Sequence, residues 1–151
     1  MKKVISLLAV LALMPLAFSC KKSGLKDLEY QGLSAFDWLQ VNVKKKGGEG
    51  VMWFQVFDQV EDKATIDSYK NAKEKVGKYP AKIFENKWIW VMINDRIEIR
   101  LLADDKSKDY QNTQKLKDFL NAFDLAGMEK ITGAKLKGKD LEKYITKLGG
   151  K

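Results

Sequence analysis

The sequence predicts an α+β fold in which an antiparallel sheet of four to five strands carries about three helices, packed mainly on one face. Three observations lead to this prediction. Residues 38–57 and 81–103 are rich in β-branched and aromatic residues, residues 62–76 have a helical period, and residues 112–148 return to that period. Strands and helices therefore occupy largely separate parts of the chain.

The first strands are predicted between residues 38 and 57. Residues 33–38 suggest a short helical turn, and residues 38–43 alternate apolar and polar side chains, as a half-buried strand does. Residues 44–50 contain three lysines and three glycines, which predict a loop. Residues 51–57 show little alternation, so we expect a central strand that is covered on both faces.

The next segment predicts an amphipathic helix over residues 62–76. Its apolar positions lie on one helical stripe, and lysines occupy other positions. The stripe consists of Ile66, Tyr69, Ala72 and Val76. Gly77 and Pro80 are typical of the end of a helix, so we expect the helix to stop before them and to lie on the sheet.

A β-hairpin is predicted in residues 81–103. Residues 83–84 favour a strand, residues 88–93 and 97–102 favour two more, and residues 94–96 form the turn between the last two. The length of this turn decides which side chains share a face, because loops of odd and even length give opposite pairings. With a two-residue loop, Trp90 would lie opposite Ile99, and both tryptophans of the strand would join the aliphatic side chains of residues 97–101.

A three-residue loop has a different consequence for the same hairpin. The aliphatic side chains of 89–93 and 97–101 then share one face, and the aromatic side chains lie beside Glu98 on the other. That second face is a candidate binding face, because aromatic residues and arginine are the usual anchors of recognition. It comprises Trp88, Trp90, Met92 and Arg100. The alternative is that another layer of the protein covers the tryptophans.

Helices are predicted in the last third of the chain. Asn112 is a suitable N-cap for a helix that runs to Phe123 and repeats apolar residues at i, i+3, i+4 and i+7. Asp124 is expected to cap a short turn that contains Leu125, Met128 and Ile131. Asp140 is expected to open the last helix, which ends at Gly149 and has an apolar face made of Leu141, Tyr144, Ile145 and Leu148.

The N-terminus has the layout of a secretory signal peptide. Lys2 and Lys3 give a basic start, residues 4–18 form an apolar run without charge, and Cys20 follows Ser19. The run is too short to span a bilayer comfortably. We therefore expect export and cleavage before Cys20. An ordinary secretory cleavage site at residues 17–19 remains an alternative that cuts the same bond.

Residues 16–20, Leu-Ala-Phe-Ser-Cys, resemble the lipobox of bacterial lipoproteins, and the relaxed form of the box is similar to that of spirochaete lipoproteins. The resemblance implies that Cys20, the only cysteine, carries a diacylglycerol and further acyl chains such as palmitate. Two or more acyl chains give stable membrane anchoring. The expected organisation is a signal peptide in 1–19, a lipidated tether in 20–32 and one globular domain in 33–151. The expected location is the cell envelope, at the outer membrane.

Composition limits the classes of partner. The formal net charge is +8, and it falls to +6 when Lys2 and Lys3 are removed with the signal peptide. Only Arg96 and Arg100 are arginines, and a surface rich in lysine but poor in arginine is a weak match for nucleic acid. A protein or an anionic glycan or lipid remains a suitable partner, and a basic surface that is merely solvated is the alternative.

Composition also limits the chemistry. The chain has no histidine, and lipidation would consume its single cysteine. This excludes Ser-His-Asp and Cys-His nucleophiles, zinc sites built on histidine or cysteine, and histidine-ligated haem. Residues 103–109 lack the ligand spacing of a calcium loop. We therefore predict no catalytic residue, no cofactor and no metal.

These observations favour a non-catalytic lipoprotein that binds a partner or assists envelope assembly. A surface-exposed, adhesin-like lipoprotein that binds host or acidic ligands is one alternative. A small hydrolase that uses carboxylates is another, with Asp58, Glu61, Asp104 and Asp105 as the candidate acids and bases. A carrier of an apolar ligand is a third, and it requires an apolar cavity of roughly several hundred Å³.

Overall fold

The computed structural model describes residues 28–123 and 125–148 of the 151-residue chain. One antiparallel sheet of seven strands has the order β1-β2-β3-β7-β6-β5-β4. The strands are β1 Leu28–Ala35, β2 Leu39–Lys45, β3 Met52–Asp58, β4 Glu74–Val76, β5 Tyr79–Phe84, β6 Trp88–Ile93 and β7 Ile97–Ala103. The α+β class and the antiparallel sheet are confirmed. The expectation of four to five strands is wrong.

One of the additional strands is β1, at the edge of the sheet. The helical turn predicted at residues 33–38 is wrong, because Leu33, Ser34 and Ala35 pair with β2. The register shifts between Tyr30 and Gly32, which marks a β-bulge of the kind that edge strands often carry. β1 begins at Leu28, within the segment predicted as a tether, so part of that segment belongs to the sheet.

The other additional strand, β4, replaces the end of a predicted helix. Helix α1 covers only Lys63–Asp67, and Glu74–Val76 pairs with β5. Val76 lies opposite Tyr79 across a two-residue loop that starts with Gly77, whose φ is +58°. A glycine with positive φ at this position is typical of a hairpin turn. The helix predicted over residues 62–76 is wrong in length because cross-strand pairing outweighs local periodicity.

The β6–β7 hairpin has a three-residue loop. Ile93 pairs with Ile97, so Asn94, Asp95 and Arg96 connect the strands. Asn94 and Asp95 have φ near +50°, a left-handed conformation that Asn and Asp tolerate better than most residues. This register pairs the aliphatic residues of the two strands with each other and sets Trp90 opposite Arg100.

The hydrophobic core lies on the face of the sheet that carries these aliphatic residues. Three helices belong to this side: α2 Thr113–Asn121, α3 Leu125–Met128 and α4 Gly138–Leu148. Asn112 caps α2 as expected and accepts hydrogen bonds from the backbone of Gln114 and Lys115. These three helices and the residues just after α2 and α3 contribute to the core Leu116, Phe119, Leu120, Phe123, Leu125, Met128, Ile131 and Leu141.

A buried ion pair closes one end of the core face. Arg96 donates hydrogen bonds from Nε and Nη2 to the two carboxylate oxygens of Asp58, at 3.1 and 2.7 Å. The guanidinium also donates to the carbonyl groups of Gly133 and Ala134, and the backbone N–H of Leu136 donates to Asp58. The pair therefore fastens the segment between α3 and α4 to the end of β3.

Some expected features lie outside the described residues: the signal peptide, Cys20, the cap at Asp124 and the helix end at Gly149. The last helix begins at Gly138, two residues before the expected Asp140. Among the described residues, no helix is long and apolar enough to cross a membrane.

Candidate binding surface

The second face of the sheet carries two rows of side chains across six strands. Each row takes one residue from each of β1, β2, β3, β7, β6 and β5, in that order. What we call the polar row consists of Ser34, Gln40, Gln55, Arg100, Trp90 and Lys82. What we call the aromatic row consists of Gly32, Asn42, Trp53, Leu102, Trp88 and Phe84. Every one of these residues is partly exposed. We call the two rows together the open face. β3 was expected to be covered on both faces, and this is wrong, because Trp53 and Gln55 reach solvent.

A third row of the same face is covered. The segment after α1 packs over it through Tyr69, which is buried and hydrogen-bonded to Glu98. Met92 and Glu98 belong to this row and are 0% and 1% exposed. The open face is therefore bordered on one side by a short covering layer, which leaves the polar and aromatic rows accessible.

The buried carboxylate of Glu98 is well satisfied. It accepts hydrogen bonds from the Tyr69 hydroxyl at 2.6 Å and from Gln59 Nε2 at 2.8 Å. Burial, together with the bond to this carboxylate, raises the pKa of the Tyr69 phenol, so Tyr69 remains a donor at neutral pH. Arg100 completes the set, with Nε and Nη2 at 3.0 and 2.8 Å from Glu98 Oε2.

The side chain of Arg100 is held between two aromatic rings. Its guanidinium carbon lies 4.2 Å from the ring centroid of Trp90 and 4.5 Å from that of Phe57. Cation–π attraction and the two hydrogen bonds to Glu98 Oε2 fix the guanidinium plane. The side chain is still 26% exposed, and its Nη1 makes no hydrogen bond with the described residues. Arg100 is thus a fixed cation with a donor available to a partner.

The aromatic contacts continue on both sides of Arg100. Phe84 lies 4.7 Å from Trp90, and Trp38 lies 5.6 Å from Phe57, measured between ring centroids. Phe36 extends the series beyond Trp38 at 5.0 Å and is 55% exposed. An aromatic ladder with Arg100 at its centre therefore runs across this side of the sheet.

Amide side chains occupy the other part of the open face. Gln55 Nε2 donates to Gln40 Oε1 at 2.7 Å, and Gln40 Nε2 donates to Asn42 Oδ1 at 3.0 Å. An amide has two donors and an acceptor with two lone pairs, so this series leaves both kinds of group available. The face therefore offers flat rings on one side and mixed hydrogen-bonding groups on the other.

The charges that reach the open face are positive. Arg100 and Lys82 lie in the polar row. Lys87 lies at the border, 5.6 Å from the ring centroid of Trp88, and is itself paired with Asp105 and Glu85. The two rows contain no acidic residue, and Glu98 beneath them is buried and bound to Arg100. A ligand with negative charge would therefore face no exposed carboxylate of either row, and Lys82 adds a positive charge whose hydrogen-bond partner, the Ser68 hydroxyl, is neutral.

The predicted binding residues lie together but are not equally accessible. Trp88, Trp90 and Arg100 belong to the open face, whereas Met92 is fully buried and cannot contact a partner. Sequence reasoning missed Trp53 and the amide series of β2 and β3. Alternate positions of β3 do carry Trp53, Gln55 and Phe57, and an amphipathic interpretation of that strand would have placed them on this face.

The carboxylates considered for catalysis have structural partners. Asp58 is bound to Arg96, Asp104 accepts from the Ser107 hydroxyl at 2.9 Å, and Asp105 accepts from Lys87 at 2.7 Å. Glu61 lies 3.5 Å from Lys135 Nζ. Burial opposes ionisation of Asp104, but hydrogen bonds from Ser107 and nearby backbone groups hold its pKa below the ordinary value. Within residues 28–123 and 125–148, no three acidic side chains converge as a metal site would require.

A small cleft lies beside β2 and β3. Its volume is about 110 Å³, and its lining includes Lys45, Glu49, Ser107, Asp109 and Tyr110. Lys45 and Asp109 form an ion pair across it. The cleft is too small and too polar for the apolar ligand of a carrier protein.

Comparisons with known proteins assign no relative to this arrangement. The chain matches no protein-family model, no curated protein and no solved structure. The open face is therefore interpreted from its own geometry.

Proposed function

We propose that the protein is an exported, lipid-anchored lipoprotein of the cell envelope that binds a partner through its open face without catalysing a reaction. The observation that carries this proposal is the row of partly exposed aromatic side chains around Arg100. An antiparallel sheet with helices on one face normally leaves polar side chains on its solvated face. Here that face carries Trp53, Trp88 and Trp90 instead.

The open face has the composition of a recognition site. Tryptophan and arginine are the residues that most often dominate the free energy of binding at interfaces. Arg100 is held by Glu98 and by two rings, so little side-chain entropy remains to be lost when a partner binds. Rigid rings on a β-sheet lose little entropy for the same reason. A preorganised surface of this kind favours binding.

The proposed location rests on the sequence of the N-terminus. Residues 1–19 have the features of a signal peptide, and the single cysteine stands at the expected cleavage site. Acylation of Cys20 would hold the domain close to the membrane, because the eight residues 20–27 before β1 span at most about 29 Å. The outer membrane is the proposed destination. The open face would then meet partners at or near that membrane.

Site-specific photo-cross-linking in living cells tests the binding function. A benzophenone amino acid at Leu102, in the centre of the aromatic row, is expected to form a discrete adduct. The same group at Lys139, an exposed position of α4 on the opposite side, is the matched control. The Leu102 adduct should disappear in Trp90→Ala and Arg100→Gln. An absence of adduct at Leu102, or equal adducts at both positions, would refute the proposal.

Metabolic labelling tests the anchor separately. The wild-type protein should incorporate labelled palmitate and partition into the detergent phase. Cys20→Ala should do neither, because it lacks the sulfur atom to which the lipid is attached. Equal labelling of both proteins would show that Cys20 is not the lipidation site.

A further inference from the structure

We infer that the open face binds a linear oligosaccharide that carries carboxylate groups, an inference that rests on the proposed binding function. The first argument is shape. The two rows extend across six strands, a distance of about 24 Å, and two rows of a strand face are about 14 Å wide. A strip of roughly 350 Å² suits a narrow, extended ligand.

The second argument is the chemistry of the two rows. A sugar ring has an apolar face of C–H groups and an edge of hydroxyl groups. The indole rings of Trp53, Trp88 and Trp90 offer flat, partly exposed surfaces for the apolar face. The amides of Gln40 and Gln55 both donate and accept, as hydroxyl groups do. A sugar chain lying along the strip would therefore meet the amides toward its β2–β3 end and the rings of Trp88 and Trp90 toward its β5–β6 end.

The third argument is charge. Arg100 is fixed at the centre of the strip and retains an unbonded Nη1 donor among the described residues. Lys82 ends the polar row, and neither row contains an acidic residue. Guanidinium groups bind carboxylates with strong, charge-assisted hydrogen bonds. The favoured sugar is therefore a uronic acid or another sugar that carries a carboxylate.

An extended acidic peptide is the competing ligand, and the strip suits it less well. Extended peptides are usually recognised by main-chain hydrogen bonds at the edge of a sheet. The open face instead presents side chains from the interior of the sheet, including β3, β6 and β7. A peptide on this surface would leave its own backbone groups with few regular partners.

Calorimetry on the full-length gene product, purified in detergent, tests the inference. The probes are hexamers of galacturonic, glucuronic and mannuronic acid and a hexaglutamate peptide. Each sugar hexamer is compared with the same hexamer after reduction of its carboxyl groups. At least one uronate hexamer should bind, and its carboxyl-reduced form should bind at least about tenfold more weakly. Trp90→Ala and Arg100→Gln should weaken binding by a similar factor. Lys139→Gln should bind as the wild type does.

The outcomes separate this inference from the proposed function. Equal affinities for an acidic hexamer and its carboxyl-reduced form would show that the carboxylate is not recognised. If the peptide alone binds, the ligand is not a glycan, and the binding function stands. The same conclusion follows if no probe binds while the Leu102 cross-link persists. Absence of both probe binding and the cross-link would overturn both.

Discussion

The guanidinium of Arg100 lies 4.2 Å from the centre of the Trp90 ring, directly across the β6–β7 hairpin. The two residues are cross-strand partners, so the contact follows from the register of the sheet. Glu98 anchors the same guanidinium from beneath. A cation is thereby held against an indole ring that is itself partly exposed, and this arrangement can be detected by fluorescence.

Fluorescence quenching should distinguish anions from cations at the open face. All four tryptophans are partly exposed, so acrylamide should quench their emission only in part. Iodide should quench more strongly than caesium, because the guanidinium of Arg100 lies 4.2 Å from the ring centroid of Trp90 and neither row of the open face contains an acidic residue. The measurement is a comparison of quenching constants at equal ionic strength.

Arg100→Gln provides the informative variant for this prediction. The advantage of iodide over caesium should become smaller, because the fixed charge beside Trp90 is removed. Lys139→Gln removes a charge on the opposite side and should not change the ratio. Complete protection of the indoles from acrylamide would show that the open face is covered in solution.

The register of the hairpin shows where sequence reasoning was sufficient and where it was not. The pattern of residues 88–102 identified both strands and allowed two loop lengths. Only the three-residue loop pairs Ile89 with Leu101 and Val91 with Ile99, which places aliphatic side chains together in the core. Burial of apolar area decides between the registers, and that burial depends on helices about twenty residues or more further along the chain.

Other errors have the same origin in contacts distant along the sequence. The apolar stripe of residues 62–76 is compatible with a helix, but Val76 finds a partner in Tyr79. In β3 the outward positions are largely aromatic, so the sequence shows little alternation of apolar and polar residues, and this concealed which positions face solvent. Local propensity is a weak predictor when pairing and burial by other elements compete with it.

Removal of the buried carboxylate should destabilise the protein strongly. Asp58→Asn leaves the Arg96 guanidinium buried without its counter-charge, although the side chain keeps its size. We expect the free energy of unfolding to fall by about 3–5 kcal/mol. Urea denaturation measures the change. The control is Asp67→Asn, which breaks an exposed ion pair with Lys70 and should leave the midpoint nearly unchanged.

The same ion pair should make stability sensitive to acid. Burial opposes ionisation of Asp58, but hydrogen bonds from Arg96, Leu136 and Val60 outweigh it and hold the pKa below the ordinary value of 3.8. The folded state therefore binds this proton less readily than the unfolded state does. The stabilisation should be complete above pH 3.8 and be lost as pH falls through the folded-state pKa.

Denaturation at a series of acidic pH values measures this contribution. The wild-type protein should lose stability below the ordinary pKa of an aspartate, and Asp58→Asn should lose less over the same interval. Parallel curves for the two proteins would show that Asp58 is not the group responsible.

Gly138 offers a test in which helix propensity and packing predict opposite signs. Alanine is a better helix former than glycine, by about 1 kcal/mol in a helix interior and by less at the first residue of a helix, so propensity predicts that Gly138→Ala stabilises α4 slightly. The added Cβ, however, would lie 2.2 Å from the carbonyl oxygen of Trp38 and 2.8 Å from that of Phe36. These are backbone atoms of the β1–β2 connection, and they cannot rotate away as a side chain can.

The steric clash should outweigh the gain in helix propensity. The backbone N–H of Gly138 donates to the Phe36 carbonyl at 3.0 Å, so the clash would also disturb this hydrogen bond. We expect Gly138→Ala to lower the free energy of unfolding by about 2 kcal/mol or more, within the range typical of overpacked sites. Lys139→Ala, at an exposed position of the same helix, should change it little. Thermal denaturation of the three proteins measures these changes. Stabilisation by Gly138→Ala would mean that α4 lies further from the β1–β2 connection than a Cβ contact of 2.2 Å implies.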